Sequence, residues 1–367
     1  MSRSIAPGRP VRVGLVGCGN VSGQYLLNLD APAVLDVVAC ADAQPARADA
    51  TARAFGIPRA VAVDQLLADD DIDLVLNLTN PAGHAEVSLA AIAAGKHVYT
   101  EKPLAGSLAE ADEVLAAAAA RGLRVGCAPD TFLGPGLRRC AELIADGAIG
   151  VPVSANAFMM TAGPEAFHPA PEFLYQPGAG PLMDGGPYGV SALVALLGPV
   201  ASVSGASTRG RDTRSVLTGA RAGSRFPVDV PTHVAALLRF ARGAVATLVT
   251  SFDVHGTRTP RLEVHGTTGS LICPAPNAWG GPAFLRSAGA EGFDEVHIDG
   301  GEGNRIGMGL LEMGSALQQG RAPRASGDLG RHVLEVLEGI RTSDERGGGA
   351  VDIRHGYELV AEGGSRA

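Results

Sequence analysis

The stretch Val11-Arg-Val-Gly-Leu-Val-Gly-Cys-Gly-Asn-Val-Ser22 decides the fold of this chain. It opens with an apolar run typical of a buried β-strand, and a glycine turn and a helical pattern follow at once. Gly17 permits the tight turn, and Gly19 lets the backbone approach a pyrophosphate at the N-terminus of the helix. Ser22 stands where a small side chain allows helix and strand to pack closely. The stretch predicts a dinucleotide-binding turn, although a glycine turn of another α/β fold is the alternative. The predicted contacts are Gly17, Gly19, Asn20, Val21 and Ser22.

The rest of the chain divides into two patterns. Through residue 128, short apolar runs alternate with helical patterns, which implies βαβ units and a parallel sheet with helices on both faces. From residue 129 the strand-like runs are longer and few helices separate them, which favours an antiparallel sheet. We therefore predict an α/β Rossmann domain with a doubly wound parallel sheet over 1–128. An α+β domain with a large, mainly antiparallel open sheet should follow over 129–367, with two late helices, 306–319 and 329–342, covering that sheet.

Composition excludes several classes of protein. The chain has 367 residues, of which 46% are hydrophobic and 19% charged, so it is long enough for two domains and unlike a disordered protein. Its net charge of −8 argues against nucleic-acid binding. No apolar run reaches the roughly 20 residues that cross a bilayer. The five cysteines include no CxxC pair and the nine histidines have no metal-ligand spacing, so we expect reduced thiols, a cytoplasmic protein and no metal site.

An acidic residue at the end of the second strand bears on the choice of cofactor. Asp42 lies about 20 residues after the glycines, where a carboxylate binds the ribose hydroxyls and repels a 2′-phosphate. Ala43 follows it, and no basic residue is adjacent. These features favour NAD over NADP, while Arg47, one helical turn further on, would weaken that preference.

Two polar segments follow the next strands, Asn80-Pro-Ala-Gly-His84 and Thr100-Glu-Lys-Pro103. Because ligands of doubly wound sheets bind beyond the carboxyl ends of the strands, both segments should face the nicotinamide. Lys102 is one of only two lysines among 30 basic residues, and a lysine exchanges a proton where an arginine does not. The alternatives are a solvated lysine and, for His84, simple packing at a helix start. The cofactor contacts predicted here are Thr79, Asn80, His84, Glu101 and Lys102.

These motifs together resemble the glucose–fructose oxidoreductase / inositol dehydrogenase / MocA (Gfo/Idh/MocA) family over nearly the whole chain. The resemblance rests on the glycine turn, Asn80 with His84, Glu101-Lys102-Pro103, Ala128-Pro-Asp-Thr-Phe-Leu-Gly134, Asp184-Gly-Gly-Pro-Tyr188 and Glu263-Val-His-Gly-Thr-Thr-Gly269. It implies a two-domain fold and NAD(P)-dependent oxidation or reduction of sugars, inositols and related polyols. It also implies a homodimer or homotetramer joined through the open sheet.

The chain departs from the family at one position. Many members carry an aspartate and, four residues later, the histidine that acts as general acid/base; here Asp184 is followed by Tyr188. Residues i and i+4 share a helix face, so both side chains can point at substrate. An ammonium such as Lys102 would lower the pKa of the phenol, which makes Tyr188 and Lys102 a workable proton-transfer pair. The alternative is that Tyr188 only anchors its helix.

We therefore predict Lys102, Asp184 and Tyr188 as the catalytic residues. Substrate contacts are predicted for the same three residues, for Asp130 in the domain-crossover motif and for His168. The last lies in a long glycine- and proline-rich loop of the kind that is often functional. A catalytically silent dinucleotide-binding regulator is the rival interpretation. Loss of the usual histidine favours it, whereas retention of Lys102 and Asp184 argues against it.

Overall fold

The computed structural model describes residues 5, 8–29, 31–301, 303 and 305–354. These residues form two compact units, each with its own large sheet. The first unit holds the described residues up to 133 and those from 305 to 334, and the second holds 134–303 and 335–354. The prediction of two consecutive domains does not include this return of the chain to the first unit. Within the described ranges, no helix combines the length and apolar character needed to cross a membrane.

The sheet of the first unit is parallel. Its strands are β1 (Val11–Val16), β2 (Leu35–Ala41), β3 (Leu74–Asn77), β4 (His97–Thr100) and β5 (Val125–Cys127). The connecting helices are α1 (Asn20–Asn28), α2 (Pro45–Phe55), α3 (Val63–Ala68), α4 (His84–Ala93) and α5 (Leu108–Ala120). The strands stand in the order β2-β1-β3-β4-β5 and pair in parallel throughout. Crossovers between parallel strands are right-handed as a rule, and with this strand order that rule puts helices on both faces. The predicted Rossmann-type α/β fold is confirmed.

Short segments extend both edges of this sheet. Ala60 forms a parallel bridge with Cys40, and Ser326 forms an antiparallel bridge with Gly126 at the opposite edge.

The order of the strands indicates where a ligand would bind. The chain runs outward from β1 through β2 and then returns past β1 to β3. The strand order reverses beside β1, and open α/β sheets bind ligands beyond the carboxyl ends of the strands at such a point.

The second unit is built on a larger sheet. The strands of this unit are β6 (Pro152–Met160), β7 (Val200–Thr208), β8 (Thr213–Ser215), β9 (Arg225–Pro227), β10 (His233–Phe240), β11 (Val245–Ser251), β12 (Leu262–Gly266), β13 (Gly269–Ile272), β14 (Ala283–Ser287), β15 (Asp294–Val296) and β16 (Val351–Asp352). Among the described residues the large sheet has the order β15-β14-β13-β12-β6-β11-β10-β7-β16, and β8 and β9 form a separate hairpin. Only the pairing of β6 with β11 is parallel in this described sheet, so the predicted mainly antiparallel sheet is confirmed.

One face of the large sheet is covered by helices. The remaining described helices are α6 (Pro135–Ala145), α7 (Pro181–Leu197), α8 (Met308–Gln318) and α9 (Gly327–Glu345), of which α7 and the C-terminal half of α9 cover this sheet. Helix α7 packs on β6, β10 and β11, and its glycines permit close contact: a Cβ on Gly189 would lie 2.8 Å from the side chain of Leu248. The opposite face, which we call the open face, carries a cross-strand row of Leu237, Thr247 and Asn156. Leu237 is 53% exposed there.

The two late helices do not both cover the second sheet as predicted. Helix α8 contacts β1 and β5 of the first unit, where a Cβ on Gly314 would lie 2.5 Å from the side chain of Leu35. The C-terminal half of α9 packs on the second unit, with Leu337 against Gly186 and Ile340 against Gly205. Close approach at small residues decides these contacts, and the spacing of apolar residues along a helix does not reveal them.

Candidate functional site

The glycine turn after β1 has the geometry that a dinucleotide requires. Gly17 has φ +100°, and a Cβ there would lie 2.5 Å from the carbonyl oxygen of Leu78. Gly19 caps α1 without a side-chain hydrogen bond, and a Cβ there would meet no protein atom within 4 Å. The N-terminus of α1 therefore presents backbone N–H groups to an open space, which fits a pyrophosphate.

The remaining residues of the turn support this shape. Ser22 is 3% exposed, and its hydroxyl donates to the carbonyl oxygen of Gly19 at 2.7 Å. Its small side chain thus closes the first turn of α1 against the sheet. Asn20 is exposed and Val21 half-buried in the same turn, so both remain accessible to a cofactor.

Asp42 fixes the glycine turn through its side chain. Its Oδ2 accepts a hydrogen bond from the backbone N–H of Cys18 at 2.8 Å, and its Oδ1 accepts one from Gln44 at 2.8 Å. Each carboxylate oxygen keeps a second lone pair for a hydroxyl donor. Arg47 is exposed in the first turn of α2. The bond to Cys18 was not predicted from the sequence, because it joins residues 24 positions apart.

Asn77, at the end of β3, organises the next loop. The residue is fully buried, and its Nδ2 donates to the carbonyl oxygen of His84 at 3.0 Å. Its Oδ1 accepts from the N–H and the hydroxyl of Thr79, at 3.2 and 2.7 Å. Asn80 is exposed beyond this anchored turn. Sequence reasoning missed Asn77, although an amide that ends an otherwise apolar strand was the available signal.

His84 braces two loops and does not face solvent. It is fully buried, with Nδ1 2.6 Å from the carbonyl oxygen of Pro103 and Nε2 3.0 Å from that of Thr79. Burial lowers the pKa of His84, against the opposing effect of these two carbonyls. In the neutral ring one proton serves one carbonyl, and we assign it to the shorter contact. Because both ring nitrogens face backbone, the direct cofactor contact predicted for His84 is not supported; it positions Thr79 and the loop after Lys102.

Glu101 and Lys102 follow β4 at the same edge of the sheet. Glu101 accepts from the hydroxyl of Tyr25 at 2.8 Å and from the backbone N–H of Lys102 at 2.9 Å. Tyr25 is fully buried in α1, so this bond ties the Lys102 loop to the helix that follows the glycine turn. Lys102 itself is half-buried. The other lysine, Lys96, is 1% exposed and donates to two backbone carbonyls, so its role is structural.

Asp130 does not have the surroundings expected of a substrate contact. It is 3% exposed, and its Oδ2 accepts from the backbone N–H groups of Gly307 and Gly309, at 3.1 and 2.6 Å. The carboxylate therefore caps the N-terminus of α8, which explains why this helix joins the first unit. The substrate role predicted for Asp130 is not supported.

The second unit contributes Asp184 and Tyr188 from the first half of α7. Most of this helix is buried against the sheet, from Leu182 to Leu197. The residues of its first half that keep partial exposure are Met183, Asp184, Gly185 and Tyr188. Asp184 and Tyr188 therefore share one accessible patch, as their i, i+4 spacing predicts.

His168 lies upstream of α7 in the same unit. It is half-buried, and its Nδ1 accepts from the backbone N–H of Ala170 at 3.1 Å. The neutral ring therefore carries its proton on Nε2, as a donor. Across the described part of the chain, no group of three or more His, Cys, Asp or Glu is arranged to hold a metal ion.

Each of the two units contains a segment that matches a known protein family. Residues 11–128 match the oxidoreductase family with an NAD-binding Rossmann fold, and residues 137–272 match the GFO/IDH/MocA C-terminal domain. A D-xylose 1-dehydrogenase (NADP(+)) 2 from Haloferax volcanii is 30% identical over 91% of this chain and 97% of its own length. The chain belongs to the Gfo/Idh/MocA family of oxidoreductases.

Other members of the Gfo/Idh/MocA family align over similar lengths. A 1,5-anhydro-D-fructose reductase from Ensifer adhaerens is 28% identical over 87% of this chain and 92% of its own. The solved structure of a levoglucosan dehydrogenase in complex with NADH and levoglucosan is 25% identical, with a TM-score of 0.81, over 94% of this chain and 99% of that one. The resemblance read from the sequence motifs is thereby confirmed.

The burial of Asp130 predicts a pH-dependent stability in this Gfo/Idh/MocA protein. Burial raises the pKa of Asp130 to about 6 from an ordinary value of 3.8. The contribution of Asp130 to the free energy of unfolding is fully present below its ordinary pKa. It is lost as pH rises through 6, because the folded state disfavours the ionised carboxylate. The amide of Asp130→Asn does not ionise, so the variant does not lose this contribution. From acid to mildly alkaline pH, its free energy of unfolding should therefore rise by about 3 kcal/mol relative to that of the natural protein.

Urea unfolding of both proteins across this pH range measures the gain. Only the change of this difference with pH is diagnostic, since any other effect of the amide group alters the free energy of unfolding equally at acid and at alkaline pH. A difference between the two proteins that stays constant with pH would contradict the assignment.

Proposed function

We propose that the chain is a dehydrogenase or reductase of a secondary alcohol or ketone in a sugar, inositol or related polyol, with NAD as its preferred cofactor. The accessible patch on α7 carries the proposal: an acid and a phenol share the exposed part of an otherwise buried helix. A catalytically silent dinucleotide-binding regulator has no use for such a pair. The names of the relatives, a xylose dehydrogenase, an anhydrofructose reductase and a levoglucosan dehydrogenase, support the substrate class.

In the proposed reaction each residue has one task. The glycine turn at Gly17 and Gly19, with Asp42, would hold the nicotinamide cofactor, which would supply the hydride acceptor for oxidation and the hydride donor for reduction. Lys102 donates a hydrogen bond to the reacting oxygen and polarises it. In oxidation Tyr188 acts as the phenolate and takes the hydroxyl proton as the alcohol becomes a ketone, and in reduction the resulting phenol returns that proton to the oxygen. Asp184 accepts hydrogen bonds from neighbouring hydroxyls and thereby orients the ring, and His168 donates to another hydroxyl through Nε2–H.

A turnover assay tests the proposed function. The purified protein is mixed with NAD⁺ or NADP⁺ and each of levoglucosan, D-xylose and myo-inositol, and with NADH or NADPH and 1,5-anhydro-D-fructose, while absorbance follows the reduced nicotinamide. We expect sustained turnover with at least one sugar or polyol. Tight cofactor binding without turnover of any of these compounds would favour the silent regulator.

Asp42 predicts the cofactor preference. Its carboxylate would repel a 2′-phosphate, so NADPH should bind more weakly than NADH in fluorescence titrations. Because Asp42 also accepts a hydrogen bond from the N–H of Cys18, Asp42→Ala should weaken the binding of NADH. It should also reduce the difference between the dissociation constants of NADH and NADPH. Arg47→Ala, which lacks this second role, is the matched control and should affect only NADPH. Equal dissociation constants in the natural protein would contradict NAD preference.

We also propose that two copies of the chain associate through the open face. Leu237 is 53% exposed in the middle of that face, beside Thr247 and Ser204. Covering it removes apolar surface from water. Sedimentation should detect a dimer or tetramer that Leu237→Arg weakens.

All five cysteines are buried and free, which is consistent with a cytoplasmic location.

A further inference from the structure

A small lobe of the second unit has its own core, and the reaction proposed above uses one residue of it, His168. It consists of residues 161–176 and 213–228, which we call the aromatic lobe. Its core contains Tyr175, Val216, Phe226 and Val228 and packs on Phe252, directly after β11 of the adjoining sheet, with the Tyr175 ring 5.3 Å from Phe226 and 5.4 Å from Phe252. A separate core of this kind makes the lobe a folded element and not a loose loop.

A buried ion-pair cluster locks the lobe to the sheet. The Arg214 side chain is 3% exposed, and its Nη1 donates to Glu165 at 2.5 Å and to the carbonyl oxygen of Ala162 at 3.0 Å. Its Nη2 donates to Asp253 and to the carbonyl oxygen of Phe252. The Tyr175 hydroxyl donates to the other Glu165 oxygen at 2.5 Å. Glu165 of segment 161–176 is thereby tied to both Arg214 and Tyr175, and Arg214 is tied in turn to Asp253.

This rigid lobe presents apolar side chains to solvent. Phe167 is 72% exposed, Leu217 is 62% exposed and Phe173 is 50% exposed. Leu217 is held beside the segment by a 3.0 Å hydrogen bond from its N–H to the Glu165 carbonyl oxygen. The His168 ring stands edge-on to Phe173 at 5.3 Å. An ordered surface that keeps two aromatic rings exposed next to a hydrogen-bond donor is typical of a ligand site.

The lobe is continuous with the accessible patch on α7. The N–H of Gly180 donates to the carbonyl oxygen of Leu174 at 2.9 Å, and the N–H of Asp184 donates to that of Gly180 at 3.0 Å. The lobe thus leads through two backbone hydrogen bonds into the turn that carries Asp184. The lobe therefore joins the chain directly before the helix that carries Asp184 and Tyr188.

We propose that the aromatic lobe is a carbohydrate-binding subsite for the part of the substrate that does not react. A sugar ring combines a C–H face with an edge of hydroxyls. The rings of Phe167 and Phe173 cover the C–H face, and His168 Nε2–H donates to a hydroxyl at the edge. The role of the lobe is to raise affinity, because its conformation is ordered before binding. This inference rests on the proposed function for its substrate class.

The test compares the natural protein with the double variant Phe167→Ala/Phe173→Ala. Saturation-transfer NMR with levoglucosan, D-xylose, myo-inositol and cellobiose measures contact between aromatic protons and sugar C–H groups without turnover. We expect transfer to at least one of these compounds and its loss in the double variant. For a compound that is turned over, KM should rise about 10-fold or more while kcat changes little. Phe293→Ala is the matched control, since Phe293 is 40% exposed in the same unit but outside the lobe.

The outcomes separate this inference from the proposed function. Turnover with a KM that the double variant leaves unchanged would overturn the subsite and keep the function. Transfer that depends on the lobe, with no turnover of any sugar, would keep the subsite and reject the function. Absence of transfer to all four compounds, or a change of oligomeric state in the double variant, would overturn the subsite, the latter in favour of a contact between copies of the chain.

Discussion

Lys102→Ala should lower kcat by about 10²-fold or more and leave the affinity for NADH nearly unchanged. The ammonium is the group that polarises the reacting oxygen, so its loss removes an interaction made most strongly in the transition state. Cofactor binding should persist, because the loop is held by its backbone: the N–H of Lys102 donates to Glu101, which is tied to Tyr25. Steady-state kinetics and NADH titration measure the two quantities separately.

The two lysines provide an internal control. Lys102→Arg keeps the charge but replaces a compact ammonium by a larger planar guanidinium with a different donor geometry, so its activity should stay well below that of the natural protein. Lys96→Met removes a lysine whose ammonium donates to the carbonyl oxygens of Asp69 and Ile72, and should lower the unfolding temperature while the folded fraction keeps its kcat. Near-normal turnover of Lys102→Ala would mean that this lysine has no role in the chemistry.

Tyr188→Phe should also lower kcat by about 10²-fold or more, because it removes the hydroxyl that exchanges the substrate proton. The change deletes one oxygen and little volume, so the packing of α7 on β6 and β11 should remain intact. The pH profile of kcat/KM in the natural protein should show a group titrating above neutrality, higher than the roughly 6.5 of an unperturbed histidine. That group should disappear from the profile of Tyr188→Phe.

Tyr188→His is the informative second variant. It restores the residue that the family resemblance leads us to expect four positions after Asp184, so it should recover part of the activity with a profile moved toward lower pH. Full activity in Tyr188→Phe would mean that Lys102 alone, and not Tyr188, exchanges the substrate proton. A crystal complex with the Tyr188 hydroxyl far from substrate, and no bridging water, would point to His168 or Lys102.

Some parts of the site followed from local sequence and others did not. The glycine turn could be predicted because a positive φ at Gly17 and a small residue at Ser22 are requirements of a few consecutive residues. The shared face of Asp184 and Tyr188 could be predicted because helical spacing alone places them together. His84 was predicted at the correct edge of the sheet, but both of its ring nitrogens face backbone carbonyls of other loops.

The sequence by itself determined the order of the elements, the parallel sheet followed by a mainly antiparallel one, the dinucleotide turn and the family. Those properties depend on the periodicity of apolar residues and on turn chemistry, which neighbours along the chain carry. Only the tertiary structure decided that Asp130 caps a helix 177 residues later, and that Arg214 joins Glu165 and Asp253 beneath an exposed aromatic surface. Such contacts join distant residues through packing and burial, so a charged residue in the sequence does not reveal whether it faces substrate or a buried partner.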